Sequence, residues 1–124
     1  MRALIVDSDQ ASAWSLADRL TEAGFTVIGP ARSSGEALLL AACEQPEIAV
    51  LNVNLESLGA GERLADKLTS RHSTHCILTA TKASENTTRR DSIDKADYGK
   101  IADAVVNHRK QRKWIDQIPG KSAS

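Results

Sequence analysis

The sequence predicts an α/β domain, a parallel sheet with helices on both faces, and two observations carry that prediction. The apolar runs Ala3 to Val6 and Ile48 to Leu51 are continuous rather than alternating, the pattern of strands covered on both sides in a parallel sheet. Segments of helical periodicity lie between such runs from the first residues onward, and strands and helices joined by right-handed crossovers put helices on each face of the sheet. A length of 124 residues suits one compact domain with a real core. Residues 1–118 are expected to form that domain and 119–124 a flexible tail.

The elements follow in order. "ALIV" (3–6) is the first strand. "DQASAWSLADRLTEAG" places Ala13, Trp14, Ala17 and Leu20 on one stripe and stops at Gly24, a residue suited to the left-handed turn after a helix. "FTVIG" (25–29) is the next strand. "SSGEALLLAACEQP" sets Ser33 three residues before Glu36, the spacing of a capping box, and is closed by Pro46. "IAVL" (48–51) is a strand as continuously apolar as the first, "GERLADKLTSR" (61–71) repeats Leu64 and Leu68 on one helix face, and "CIL" (76–78) is a shorter strand. In residues 81–97 Ile93 is the only large apolar side chain, so a loop with at most a short edge strand around Ser92 to Asp94 is expected. A last helix should start near Tyr98 and run toward Ile118, with Tyr98, Ile101, Ala102 and Val105 facing the sheet.

Composition narrows the function. Sixteen Lys plus Arg balance sixteen Asp plus Glu, so no overall field draws in nucleic acid or an anionic membrane. Aromatic content of 3% offers little for stacking on bases. No apolar stretch reaches the roughly 18 residues of a membrane span and nothing reads as a signal peptide, so the expected location is the cytoplasm. Cys43 and Cys76 lack CxxC spacing and read as reduced structural thiols. His72, His75 and His108 lack the spacing of a metal site and read as surface positions.

In an open parallel sheet, chemistry gathers at the C-terminal strand ends. Those ends carry Asp7, Ser8 and Asp9, then Asn52 and Asn54, then Thr79. With these residues the chain resembles the receiver domains of bacterial two-component response regulators, over residues 3 to about 107. "ALIVDSDQ" is similar to the family's first strand and acidic cluster, and "EAGFTVIGPARSSGEAL" to its second strand and helix. "PEIAVLNVNL" is similar to the phosphoacceptor strand, and "CILTA" to the strand bearing the switch hydroxyl. The resemblance implies a flavodoxin-like, doubly wound five-stranded sheet in the order 2-1-3-4-5, with a weak or missing fourth helix and fifth strand here. It also implies phosphoryl transfer from a histidine kinase to an aspartate, assisted by Mg²⁺.

Position by position the implied machinery is depleted. Asp7 matches the first acidic residue, but Ser8 stands where the family has a second metal-binding carboxylate, and a neutral hydroxyl is a poor Mg²⁺ ligand. Asn52 occupies the phosphoacceptor position, and an amide is not a useful nucleophile toward phosphorus. Thr79 matches the switch hydroxyl, the Asn54 carbonyl falls at a metal-ligand position beside Asp7, and Lys95 matches the Lys before the last helix. Lys95 follows Thr79 by 16 residues, a short spacing for the family, with no proline after it. Departures at Ser8, Asn52 and 81–97 together point to natural divergence rather than one engineered change.

The expected protein is therefore a stand-alone receiver-like signalling module that is not an enzyme, needs no cofactor beyond at most a weak Mg²⁺ site at Asp7 and Asn54, and acts by contact with a protein. A histidine kinase or downstream regulator is the expected partner. Trp114, Ile115 and Ile118 at the end of the last helix are candidates for that contact or for a homodimer. Two rivals stand beside it: a receiver phosphorylated at Asp7 or Asp9, and a small-ligand or enzyme domain on the same sheet. Asp7 and Asp9 can also simply cap the first helix, Asn52 can be a hydrogen-bonded polar plug, and Thr79 can satisfy a backbone group.

Overall fold

The computed structural model describes residues 1–53, 55, 57, 59–80, 93–94 and 98–116, with the backbone alone at 94, 98 and 110–116. Five strands and four helices are present among them: β1 (Arg2–Val6), α1 (Gln10–Glu22), β2 (Thr26–Ala31), α2 (Ser34–Glu44), β3 (Ile48–Asn52), α3 (Ala60–His72), β4 (His75–Ala80), β5 (Ile93–Asp94) and α4 (Tyr98–Asp116). The sheet has the order β2-β1-β3-β4-β5 and every pairing is parallel. This is the doubly wound, flavodoxin-like topology expected from the sequence, and its fifth strand is indeed weak, at two residues.

Side-chain alternation along the central strands divides the core between two faces. Ala3, Ile5, Ile48 and Val50 pack with Leu16, Leu20, Ile101 and Val105 under α1 and α4. Leu4, Val6, Ala49, Leu51 and Val53 pack with Ala37, Ala41, Leu64 and Leu68 under α2 and α3. All of β3 is buried, which is why its sequence shows no alternation. β2 is an edge strand, and its register against β1 shifts between Leu4 and Val6, beside Gly29 and Pro30.

The helix ends follow the expected chemistry with two changes. Ser33 Oγ accepts from the Glu36 N–H at 3.3 Å, but the Glu36 carboxylate accepts from the Arg32 N–H at 3.3 Å, one residue before the cap. On α1 the buried stripe is Ala13, Leu16, Ala17 and Leu20, whereas Trp14, expected on it, is 57% exposed. The reason is geometric: Trp14 sits one residue, about 100°, from Ala13, while the buried set follows the i, i+3, i+4, i+7 spacing. Gly24, with φ +93, ends α1 as expected.

α4 is held at two points along its length. Ile101 and Val105 are buried against the sheet. Farther on, Arg109 donates through Nη1 to the Ala23 carbonyl at 3.0 Å and lies over the Phe25 ring, 4.4 Å from its centre. Trp114 and Ile115 lie on the last two turns of this helix. The expected loop at 81–92, Asn54, Lys95, Ile118 and the tail at 119–124 lie outside the described residues, as do the side chains of Tyr98, Trp114 and Ile115.

Candidate functional site

The site is built by register. Val6 pairs with Leu51 and Asn52 pairs with Thr79, so Asp7, one residue past Val6, and Asn52 and Thr79 gather at the C-terminal end of three adjacent strands. All three are buried, at 7%, 2% and 3% exposure, among apolar neighbours that raise the cost of any unpaired charge. Of the acidic cluster only Asp7 points inward, since Ser8 and Asp9 are exposed.

Each of these groups has local work. The Asp7 N–H donates to the Ala31 carbonyl at 2.9 Å, and Asp7 Oδ1 accepts from the Asp9 N–H at 2.9 Å. The Asp7 carbonyl accepts from Gln10 Nε2 at 3.2 Å. Asp9 is the N-cap of α1, accepting from the Ser12 N–H at 3.5 Å and the Ser12 hydroxyl at 2.9 Å. Thr79 Oγ1 donates to the Leu51 carbonyl at 3.3 Å, and the Val53 N–H donates to the Thr79 carbonyl at 2.9 Å. Among the described residues no buried side-chain nitrogen or oxygen lacks a partner.

The floor beneath Asn52 is closed by α3. The Gly61 N–H donates to the Val53 carbonyl at 2.9 Å. A Cβ on Gly61 would overlap the Asn52 carbonyl oxygen and sit 2.7 Å from the Asn52 carbonyl carbon and the Val53 Cα. Arg63 Nη2 donates to Ser57 Oγ at 2.9 Å and steadies the intervening loop. Beside Asp7 and Thr79, the space bounded also by Ile5, Ser12, Leu16 and Ile101 is only about 10 Å³, the scale of one water molecule.

Among the described residues the donors do not complete a site for Mg²⁺. A hard cation of that size requires near-octahedral oxygen donors from one or two carboxylates and several waters. Here the single inward carboxylate, Asp7, is committed to a backbone N–H, Ser8 is turned out, and the neighbouring space is about 10 Å³. The Asn54 carbonyl lies outside the described residues. Asn52 itself supplies no nucleophilic oxygen.

A second constellation was not legible in the sequence. His72, His75 and His108, read as separate surface positions, line one cavity of about 290 Å³ with Gln45, Pro46, Glu47 and Ser73, at the N-terminal ends of β3 and β4. The His75 and His108 rings stack face to face, 4.1 Å between centres and 4° between planes. Desolvation by burial lowers the His75 pKa from its ordinary value of 6.5. No spacing rule links positions 33 residues apart in sequence, and only the packing of α4 against β4 brings them together.

No family model matches the chain, and no curated protein is significantly similar to it in sequence. Solved structures are similar in fold. The signal receiver domain of a protein described as a LuxO repressor from Vibrio parahaemolyticus superposes with a TM-score of 0.78 at 17% identity, covering 97% of this chain and 98% of that one. The signal receiver domain of the response regulator NarL from Mycobacterium tuberculosis gives 0.72 at 19% identity, covering 88% and 95%. The anti-anti-sigma factor PhyR from Bartonella quintana gives 0.64 at 15% identity, covering 90% of this chain but 50% of that one. The fold is that of receiver domains.

Proposed function

We propose that this chain is a receiver-like signalling module that works by binding a protein and is not switched by conventional aspartyl phosphorylation. The observation that carries this reading is Asn52. A buried amide stands at the strand end where the similar receivers' fold would present its phosphoacceptor, closed from below by Gly61 and flanked by Asp7 and Thr79. No acid and base pair lies open at that end among the described residues, which favours a binding module over an enzyme. The likeness to an anti-anti-sigma factor supports a protein as the partner. A histidine kinase or a downstream regulator fits, through Trp114 and Ile115 at the far end of α4 and Ile118 after them in sequence, as does a homodimer through the same residues. No cofactor is required by this reading, and the cytoplasm is its natural setting; no helix among the described residues is long and apolar enough to cross a membrane.

Phosphorylation of Asp7 or Asp9 instead has little to favour it, since both carboxylates already serve the turn into α1. The test is intact mass after incubation with acetyl phosphate and Mg²⁺, with wild type beside Asn52→Asp. Wild type is expected to gain nothing and Asn52→Asp to gain one phosphoryl group, because the substitution restores a nucleophile and a second carboxylate together. A phosphoryl group on wild type overturns the proposal.

A further inference from the structure

The His75–His108 contact joins the first residue of β4 to the second half of α4, at the opposite end of the sheet from Asn52. We propose that this stacked pair is a pH-sensitive latch that, together with the Arg109 contacts to Ala23 and Phe25, holds α4 beyond Val105 against the sheet with at most one proton on the two rings, and that loosens it when both are protonated.

The surroundings tolerate one charge and resist two. Glu47 lines the same cavity, and its backbone carbonyl accepts from the His75 N–H at 3.0 Å. The carbonyl ends of α2 and α3 point into the same region, through caps at Gln45 and Ser73 in the left-handed conformation, and helix C-termini favour a cation. A single imidazolium stacked on a neutral ring is therefore stable. A second proton puts two cations on rings 4.1 Å apart, where like charges repel each other.

The other charged groups nearby add one acid, Asp66, and otherwise no negative charge to set against this second proton. His72 adds a third titratable ring to the cavity. The Arg2 backbone N–H donates to the Glu47 carboxylate at 3.5 Å, while its guanidinium pairs with Glu44 at 3.5 Å. Asp66 and Cys76 line a separate cavity with His75, between α3 and β4. Arg109, next to His108, points away onto Phe25. His75 keeps part of its surface in solvent, and desolvation of the rest lowers its pKa in the same direction.

The experiment is amide hydrogen exchange of the full chain, with protection along α4 corrected for intrinsic rates and compared between about pH 7.5 and about pH 5. Wild type is expected to lose roughly tenfold protection over residues 105–116 while the sheet core is unchanged, and His108→Phe, which keeps a ring but cannot take a proton, is expected to show no such loss. Flat protection in wild type, or a parallel loss in His108→Phe, overturns the latch. The imidazole resonances of wild type give a second measurement that needs no variant. Two separated titration steps, with the ring-current shifts vanishing on the second, support the latch, and a single common step at the ordinary histidine value overturns it.

Discussion

Asn52 and Gly61 make one unit. The Asn52 carbonyl occupies the space a Cβ on Gly61 would need, so Gly61 lets α3 start directly over the end of β3. Gly61→Ala is expected to destabilise the fold by about 3 kcal/mol or more, since backbone atoms cannot yield as a flexible side chain does. A urea midpoint equal to that of wild type would show that α3 can shift at little cost. Thr74 makes a comparable single-residue connection, donating through its buried hydroxyl to the Pro46 carbonyl at 3.1 Å and tying the start of β4 to the start of β3. Asp7, Asn52 and Thr79 were legible in the sequence because each ends an apolar run, and a strand end in a parallel sheet faces the site. The histidine cavity was not, because it depends on which helix face lands over which strand. Trp14 shows the same limit in small: an aromatic in a helical run was assigned inward, and its phase on α1 turns it to solvent.

The helices differ in how their ends are secured. α1 is capped by Asp9 through both the N–H and the hydroxyl of Ser12; α3 starts at Gly59 with no side-chain cap. Asp9→Ala should therefore cost about 1 kcal/mol, the usual value for losing an N-cap, while the backbone N–H of residue 9 still donates to Asp7. Thermal unfolding of the variant beside wild type measures it, and an unchanged midpoint would mean that Asp9 is not a working cap. β3 and α2 were read from the sequence almost to the residue, because continuous apolar runs and a Ser-x-x-Glu start are strong local signals. β5 was foreseen only as a short edge strand, since a two-residue strand leaves no periodicity to read.

Across the whole molecule, sixteen acidic and sixteen basic residues leave no net charge with the histidines neutral, so global repulsion is small near neutrality. His75 then gives the pH profile a definite sign. Its folded pKa lies below the unfolded value of 6.5, so the unfolded chain binds the proton more readily. Its contribution is fully present above about pH 6.5 and is lost as pH falls through the unfolded and then the folded value. The urea midpoint should be lower at about pH 5.5 than at about pH 7.5, and the difference should narrow in His75→Gln. An equal difference in the variant would assign the effect to the carboxylates.

The strand order also bears on how the chain emerges during synthesis. β1 lies in the sheet between β2 and β3, and both neighbours are complete by residue 52. A ribosome adding roughly 5 to 20 residues per second completes these three strands, with α1 and α2, about 1 to 6 seconds before it completes β4 at Ala80. β4, β5 and α4 emerge later and add on the β3 side of these strands, so the half that carries the histidine pair is made after the half that carries β2.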